Sequence, residues 1–245
     1  MSLSSNSIIH FTNNKEALKG ILTDNFKLSY CIEKVKLNAA TIEFAAPMVS
    51  FCDIPLSQVK HHITKYGAYG IGLTKEWAEK QKLNPVVYIE KKSNLAQSYL
   101  NIYTEYILNT TKNLFTLNEK EKSVIDILRY IKNYQDDLTR GGTVHKDYRF
   151  SDEREWRYVL DYNSQAQYIY ALDSNFNKET ANKTLSTDRL MFEPNDIKYV
   201  IIEKESEILE FLNLFRDAKG KNYSHHDVER LMTRIITTEQ IVQDF

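Results

Sequence analysis

Short apolar runs alternate with amphipathic stretches along the chain. Runs rich in β-branched and aromatic residues predict strands at residues 7–11, 41–44, 48–51, 86–89, 158–162, 168–172 and 197–202. Between them, apolar residues that recur every three or four positions predict helices, including one at residues 205–218. Because strands and helices mix along the chain, the pattern predicts an α+β fold on a mixed or antiparallel sheet, with helices at the carboxyl end.

Residues 93–137 follow a different pattern. Two amphipathic stretches, at residues 94–115 and 118–134, carry apolar stripes and follow one another directly. We interpret them as an αα-hairpin inserted between strands. The chain is therefore predicted to form a single domain over residues 1–245, with a helical insertion at residues 93–137.

Composition and charge narrow the function classes. Lys and Arg number 32 and Asp and Glu number 33, so a net charge of −1 provides no overall field toward nucleic acid or a membrane. No run approaches the ~20 apolar residues that a membrane span needs, and the first residues lack the pattern of a secretion signal. Cys31 and Cys52 lack metal-ligand spacing and are typical of a reducing compartment. We expect a cytoplasmic protein with no membrane partner and no strong nucleic-acid signal.

One segment next to a predicted strand is especially rich in charged residues: Phe150-Ser151-Asp152-Glu153-Arg154-Glu155-Trp156-Arg157. Side chains alternate along a strand, so Glu153, Glu155 and Arg157 are predicted to share one face. Charges of this kind are less costly at the mouth of a cleft than beneath apolar groups, which predicts an acidic site. Two alternatives are a solvated strand edge, or an internal ion-pair network that only positions strands.

Two further segments are candidates for ligand binding. His10 lies at the end of a predicted strand, just ahead of a helix whose first backbone N–H groups favour anions such as phosphate. The alternative is a histidine that holds a loop carbonyl. Residues 66–73 hold three of the seven glycines, and Gly70 and Gly72 on a strand permit close approach of a ligand or another backbone. The adjacent His61 and His62 diverge by about 100° on a helix, so no metal site is predicted.

Four segments together carry a family resemblance: Phe51-Cys52-Asp53-Ile54-Pro55-Leu56, residues 66–73, Glu153-Arg154-Glu155-Trp156-Arg157, and the ending Ile235-Ile236-Thr237-Thr238-Glu239-Gln240-Ile241-Val242-Gln243-Asp244-Phe245. Their combination, over nearly the whole chain, resembles the AbiGi-type abortive-infection proteins, which are bacterial phage-resistance proteins described as the antitoxin of a two-gene system. The resemblance implies a role in phage defence. It also implies a partner, either a cognate toxin or a phage-derived protein.

A second resemblance, to mono-ADP-ribosyltransferases, follows the order of three elements. His10 lies on an early strand, Tyr66 and Tyr69 lie in an aromatic segment, and Glu153 and Glu155 form a later Glu-x-Glu. The resemblance implies that NAD is the cofactor. When nicotinamide leaves, a fixed carboxylate stabilises the oxocarbenium charge on the ribose. Glu155 would be the catalytic carboxylate, and Glu153 would activate the acceptor.

The same resemblance implies that His10, Thr12, Tyr66, Tyr69 and Arg157 bind NAD. Tyrosine stacking and the helix N-terminus would orient the dinucleotide. The chain departs from the pattern of those enzymes because no Ser-Thr-Ser segment precedes its glutamates. Our leading hypothesis is an AbiGi-type phage-defence protein on an ADP-ribosyltransferase-like scaffold. The alternative is a non-enzymatic antitoxin that binds a toxin through its tyrosine-rich surface or its helical insertion.

Overall fold

The computed structural model describes residues 5–108, 117–140, 142–161, 167, 169–172, 176–220 and 222–244. Parts of the predicted helix at residues 94–115 and of the predicted strand at residues 168–172 lie outside them. Fifteen strands lie within these described ranges: β1 Ser7–Thr12, β2 Phe26–Lys27, β3 Ser29–Leu37, β4 Ala40–Cys52, β5 Tyr69–Thr74, β6 Asn84–Pro85, β7 Val87–Ile89, β8 Ile131–Asn133, β9 Gln135–Arg140, β10 Thr143–Arg149, β11 Glu155–Val159, β12 Tyr170–Ala171, β13 Arg189–Leu190, β14 Ile197–Ile202 and β15 Ile235–Thr237.

The same ranges contain nine α-helices and several single turns of helix. The α-helices are α1 Lys15–Asp24, α2 Lys60–Tyr66, α3 Lys75–Lys80, α4 Asn94–Tyr103, α5 Glu119–Tyr130, α6 Lys178–Lys183, α7 Ile208–Lys219, α8 His225–Met232 and α9 Thr238–Asp244. A π-helical turn, Thr104–Leu108, continues α4, and 3₁₀ turns lie at Leu56–Gln58, Phe150–Glu153, Pro194–Asp196 and Glu205–Glu207.

The chain divides into two compact units, and each is discontinuous in sequence. The first unit contains Met1–Lys27, Ser50–Leu83 and Asp188–Phe245. The second contains Leu28–Val49 and Asn84–Thr187. The long strand β4, predicted as two short strands, contributes residues to both units.

The sheet of the first unit has the strand order β15-β14-β5-β1. Strands β14 and β15 are parallel, while β14 and β1 each pair antiparallel with β5. Both strand glycines of β5 permit close packing within the protein. A Cβ at Gly72 would lie 2.9 Å from the ring of Tyr199, and one at Gly70 would lie 3.1 Å from the ring of Phe11. A Cβ at Gly70 would also lie 3.1 Å from the backbone oxygen of His10, so the close approach predicted at the two glycines involves the protein's own backbone and side chains.

The first unit buries apolar side chains on both faces of β1. Ile9 and Phe11 pack with Val59, Ile63 and other residues in one cluster, as expected from the alternation of side chains along a strand. On the opposite face, an aromatic cluster contains His10, Phe26, Phe51, Trp77 and Phe192. Helix α1 is capped by Asn14, whose side chain accepts hydrogen bonds from two backbone N–H groups.

The second unit is built on the antiparallel pair of β3 and β4, which the pattern predicted only in part. Asn38 has a positive φ of 53° in the tight turn that joins these strands, as asparagine tolerates. Strands β11 and β12 lie beside β4. Helices α4 and α5 cover a core that contains Phe44, Tyr99 and Leu128 and to which β3, β4 and both helices contribute.

Two sequence predictions in the second unit were wrong. The helix predicted at residues 118–134 ends at Tyr130, because Ile131 turns to extended backbone and β8 pairs in parallel with β7. The basic, glycine-containing sequence of residues 139–149 predicts a flexible loop, but Thr139 and Val144 pair across the antiparallel strands β9 and β10. The Asp137 carboxylate accepts hydrogen bonds from Lys146 Nζ (2.6 Å) and from the backbone N–H of Asp147 (3.2 Å). These bonds hold the bulge of β10, which the composition of the segment alone does not reveal.

Candidate functional site

The seven candidate residues fall into two groups, which we describe separately because they belong to different units. The group in the first unit is His10, Thr12, Tyr66 and Tyr69, and the group in the second unit is Glu153, Glu155 and Arg157. The structure brings the three residues of the second group into one set of ion pairs. In the first group it pairs Thr12 with Tyr69 across neighbouring strands.

Glu155 and Arg157 form a forked ion pair on one face of β11. Arg157 Nε lies 2.6 Å from Glu155 Oε1, and Arg157 Nη2 lies 3.3 Å from Glu155 Oε2. The remaining guanidinium nitrogen donates to the carbonyl of Arg129 at 2.9 Å, and Nη2 also contacts Glu33 Oε2 at 3.1 Å. The predicted sharing of a face by Glu155 and Arg157 is confirmed, and both side chains are buried.

Lys132 on β8 joins the two glutamates. Its Nζ lies 2.7 Å from Glu155 Oε2 and 3.2 Å from Glu153 Oε2, and 4.8 Å from the ring centroid of Phe150. The backbone N–H of Glu155 donates to the hydroxyl of Tyr88 at 2.8 Å. Glu153 lies in a 3₁₀ turn and not on the strand, so its contact with Lys132 does not come from the predicted strand alternation. The turn and the strand nevertheless bring both carboxylates to the same ammonium group.

Burial and charge compete at this cluster, and charge determines the direction of each pKa shift. Burial opposes ionisation of Glu155, but Arg157 and Lys132 hold the pKa of that carboxyl well below its usual range. Burial likewise opposes the charge of Lys132, and its three glutamate neighbours, Glu155 first, raise the pKa of the ammonium above its usual value. Glu155 and Lys132 therefore stay charged over the physiological pH range.

These contacts are those of the internal ion-pair network, one of the alternatives that the sequence left open. Both oxygens of Glu155 are bonded to cations. Stabilisation of a ribose cation by Glu155 would require the carboxylate to exchange these partners for substrate. The catalytic roles of Glu155 and Glu153, and the NAD-binding role of Arg157, stay predictions.

Sequence reasoning missed the partners that complete the network, Glu33 and Lys132. Glu33 lies on β3, where the apolar residues Val35 and Leu37 alternate with lysines, and this period-two signal could have identified the strand. Lys132 lies in a segment that continues the apolar stripe of α5, so its position on a strand had no clear signal in the sequence. It follows from the pairing of β8 with β7, which is a long-range contact.

The imidazole of His10 contacts a backbone carbonyl and two aromatic rings of the first unit. Its Nδ1 lies 2.9 Å from the carbonyl oxygen of Ser50, which can only accept, so Nδ1 carries the hydrogen. The rings of Phe26 and Phe51 approach it edge-on, with centroids 5.4 and 5.8 Å away. Burial lowers the pKa of the imidazole, while the bond to Ser50 opposes the shift only in part. The residue is a neutral histidine that holds a carbonyl, as the alternative interpretation predicted, but the carbonyl belongs to strand β4 and not to a loop.

The remaining candidates lie near the end of β1. Thr12 pairs with Tyr69 across strands, and the phenol of Tyr69 lies 3.0 Å from Glu203 Oε2 and 2.9 Å from Glu207 Oε1. One hydroxyl hydrogen thus serves two carboxylates, and burial is the first cause of a raised pKa at Tyr69. Tyr66 stacks on His62 with a centroid distance of 5.4 Å. The NAD-binding roles of these residues stay predictions.

Thiols, metal ligands and membrane spans add no further site. Cys31 and Cys52 are free thiols, and the Cys52 Sγ lies 3.2 Å from the carbonyl oxygen of Ile9. Among the residues that the structure describes, no three or more His, Cys, Asp or Glu side chains are grouped to hold a metal ion. The described part of the chain also contains no helix with the length and apolar character that a membrane crossing requires.

Comparison with known proteins identifies the family. The family model described as "Putative abortive phage resistance protein AbiGi, antitoxin" matches residues 24–203. The chain is also 25% identical over 235 residues to the abortive phage resistance protein AbiGi of Lactococcus lactis subsp. cremoris, covering 86% of this chain and 93% of that protein. No solved structure matches the chain. Because the family model covers well over half of the chain, the protein belongs to the AbiGi family of abortive phage resistance proteins.

Proposed function

We propose that the protein acts in phage defence as an antitoxin, binding a toxin encoded with it and blocking that toxin's activity. The family description names an antitoxin. The observation that carries the proposal is the state of Glu155, whose two oxygens are bonded to Arg157 and Lys132. A carboxylate held in this way stabilises a fold, and a protein that acts by binding needs no free catalytic acid.

Helix α4 offers an apolar surface that suits a protein partner. Ala96 and Tyr99 pack into the core of the second unit, whereas Leu95 is 57% exposed and Ile102 is 44% exposed. The two exposed residues are seven positions apart, which brings them to the same side of the helix. Apolar anchors inside a polar rim dominate the energy of many protein interfaces. We assign the toxin-binding surface to this side of α4, within the predicted helical insertion.

The test combines co-purification with toxicity. The toxin candidate is the protein encoded by the neighbouring gene, co-expressed with this chain. The double change Leu95→Ser and Ile102→Ser is expected to weaken co-purification about tenfold or more, since two interface anchors are lost, and to restore toxicity. The matched control, Leu209→Ser, removes an equally exposed leucine from α7 in the first unit and is expected to leave binding intact.

The possible outcomes distinguish a wrong choice of binding surface from a wrong antitoxin function. If the double variant binds as tightly as the wild type while the complex forms, the assignment to α4 is wrong and the antitoxin function stands. If the wild-type chain neither binds nor neutralises the co-expressed protein, the antitoxin function itself is rejected for that pair.

The second candidate is the NAD-dependent ADP-ribosyltransferase activity implied by the order of His10, the tyrosine segment and the glutamates. Its support is the order of these residues in the sequence. This activity requires purified protein to bind NAD and release nicotinamide. Absence of nicotinamide release by the folded wild-type chain, alone and with its partner present, would reject the enzyme and leave the antitoxin proposal unaffected.

A further inference from the structure

Among the strands that the structure describes, β3 pairs only with β4. The antiparallel register is unbroken, from Ser29 opposite Met48 to Leu37 opposite Ala40. Successive residues of an antiparallel strand direct their N–H and C=O groups alternately toward the neighbouring strand and away from it. The other edge of β3, which we call the outer edge, is therefore formed by the main-chain groups of every second residue.

Side-chain amides show which residues of β3 form the outer edge. The N–H of Tyr30 donates to Asn182 Oδ1 at 2.8 Å. The N–H of Lys36 donates to Asn133 Oδ1 at 2.8 Å, and the carbonyl of Lys36 accepts from Asn133 Nδ2 at 2.8 Å. Neither asparagine belongs to β4, so Tyr30 and Lys36 direct these groups away from β4. Because the direction alternates, the even-numbered residues between them do the same.

The pairing on β4 supports this orientation. Pro47 lies opposite Tyr30 and has no N–H that it could donate to β3. Its carbonyl accepts a hydrogen bond from the N–H of Leu160 at 3.1 Å. This is the pattern of a non-hydrogen-bonded pair, in which the main-chain groups of Tyr30 point outward.

Ile32 and Lys34 leave the middle of the outer edge open. Among the described residues, no group bonds to their outward N–H and C=O groups. Ile32 is 55% exposed, and Lys34 is also exposed. Asn182 and Asn133 occupy the edge on either side, so the open stretch is about 10 Å long. An unpaired stretch of this kind is a template for the pairing of another strand.

The lysines of β3 do not protect this edge with an uncompensated charge. Lysines on edge strands often keep other strands away. Here, Lys34 Nζ lies 2.6 Å from Glu43 Oε1, and Lys36 Nζ lies 2.7 Å from Asp136 Oδ1. Because both ammonium groups are paired with acids of the same unit, little positive charge opposes the approach of a further strand.

The β3 strand of a second copy does not fit the open stretch. Two antiparallel copies could pair about Glu33, with Ile32 of each opposite Lys34 of the other. The next pairs on either side would meet the two asparagine side chains, which already bind the main chain there. The occupant must therefore be a short extended segment that leaves the edge after about three residues.

The open stretch lies close to the helix that carries the assigned toxin-binding surface. Asn38, in the turn that follows β3, donates from Nδ2 to Gln97 Oε1 on α4 at 3.0 Å. Lys34 is four positions before Asn38, which corresponds to about 13 Å along the strand. A toxin that covers the exposed surface of α4 can therefore also reach the outer edge of β3.

We propose, on the basis of the antitoxin function proposed above, that an extended segment of the toxin adds to the outer edge of β3 as an antiparallel strand. Two of its residues each exchange two main-chain hydrogen bonds, one with Ile32 and the other with Lys34. The side chain beside Ile32 is apolar and the one beside Lys34 is acidic, since such cross-strand pairs are favourable. Neither the family description nor the assignment of α4 gives β3 this role.

Amide hydrogen exchange, resolved at single residues by NMR, tests the added strand directly. The samples are the full chain alone and its complex with the co-expressed protein of the neighbouring gene. In the chain alone, the N–H groups of Ile32 and Lys34 should exchange about tenfold or more faster than those of Cys31 and Val35, which point toward β4. In the complex, exchange at Ile32 and Lys34 should slow about tenfold or more, because both groups become bonded.

Two variants of Ile32 give an independent measurement by co-purification. Ile32→Pro removes an outward N–H and leaves the bonds to β4 in place, as proline is tolerated where the N–H of an edge strand faces solvent. It should weaken toxin binding about fivefold to tenfold, the scale of one hydrogen bond. The matched control, Ile32→Val, keeps the N–H and the branched shape and should bind within about twofold of the wild type. If Ile32→Pro does not fold, the exchange measurement on the wild-type chain decides.

The strand addition is overturned if Ile32 and Lys34 exchange as fast in the complex as in the chain alone. It is also overturned if Ile32→Pro folds and binds as tightly as Ile32→Val, and the antitoxin function stands in both cases. Exchange at these residues that slows in the chain alone as its concentration rises would identify a second copy as the occupant and overturn the toxin. If the wild-type chain forms no complex, the antitoxin function is rejected for that pair, and strand addition by that toxin with it.

Discussion

The buried charge cluster of the second unit is ion-paired, whereas two ionisable groups of the first unit lie beside aromatic rings. In the second unit, Glu155 and Arg157 are buried in direct contact, and Lys132 adds a further positive charge to the carboxylate. In the first unit, Lys219 and His10 lie beside aromatic rings, and neither is bonded to an acidic side chain among the described residues.

The first unit also contains a buried ion pair. Asp53 is buried, and its Oδ2 lies 2.7 Å from Lys75 Nζ. The contrast therefore concerns Lys219 and His10 and not every buried group of that unit.

The difference determines the direction in which burial and charge move each pKa. Pairing lowers the pKa of Glu155 and raises that of Lys132, so neither group changes its proton near neutral pH. Burial without an acidic partner among the described residues instead lowers the pKa of Lys219. The most conspicuous charges in the sequence are therefore held in their charged forms by one another.

The largest expected loss of stability comes from removing the cation of the Glu155–Arg157 ion pair. Arg157→Met removes the guanidinium and leaves Glu155 and Glu33 without their main partner. A buried pair broken in this way costs about 3–5 kcal/mol, which urea unfolding of purified protein would measure. Lys34→Met is the control, since the exposed pair of Lys34 with Glu43 should contribute little. A loss for Arg157→Met no larger than for the control would contradict the contrast between the units.

The next largest expected loss of stability comes from removing the charge of the Glu155 carboxylate. Glu155→Gln keeps the shape and removes the charge, so we expect a loss of about 2–3 kcal/mol at pH 7, the scale of hydrogen bonds to charged groups. Because folding lowers the pKa of Glu155, its contribution is complete above the unfolded value of about 4.3. It is lost as the pH falls toward the folded pKa. Unfolding curves from pH 7 to pH 3 should show the wild type and the variant converging in acid.

A constant difference between these two proteins across that pH range would mean that the charge of Glu155 is not what stabilises the second unit. Nicotinamide release, measured on the same samples, separates stability from chemistry. If Glu155→Gln abolished such a release without lowering the stability, the enzyme hypothesis would gain the support that the contacts do not give it.

Much of the first unit was predictable because its signals are local. Strand β14 was predicted at its observed bounds from a run of β-branched residues. Thr74, a residue type that caps helices, precedes α3, and its side chain accepts a hydrogen bond from the N–H of Trp77. Gly67 follows α2, and its φ of 115° is one that glycine adopts readily. Each of these features depends on residues within one turn of one another.

The candidate site was predictable only as far as one strand extends. The alternation of side chains along a strand predicted that Glu155 and Arg157 share one face. It could not give Lys132, which is 23 positions from Glu155, or the burial of the pair. Burial depends on what covers a face, and this is set by contacts between distant segments. The same limit applies to Lys219, whose sequence neighbours only mark the end of a helix.

A smaller effect is expected at the phenol that contacts two acids. Tyr69→Phe removes the hydroxyl near Glu203 and Glu207 and should cost about 1 kcal/mol, as one net hydrogen bond. Tyr134→Phe, at an exposed ring, is the control and should be close to neutral. Thermal unfolding would measure both. Equal stabilities for the two variants would show that the buried hydroxyl contributes no more than an exposed one.

The smallest expected effect is a gain in stability, and it tests the buried lysine of the first unit, which has no acidic partner among the described residues. Lys219→Met keeps an unbranched side chain of similar length and removes a cation whose burial is not compensated by an acid. We expect the variant to gain about 1 kcal/mol at pH 7, where the folded lysine is charged at a cost. Folding lowers the pKa of Lys219, so wild-type stability rises with pH between the folded value and the unfolded value of about 10.4. The advantage of Lys219→Met should therefore shrink in urea unfolding curves from pH 7 to pH 10, whereas a loss of stability at every pH would mean that the rings bind the cation more strongly than burial penalises it.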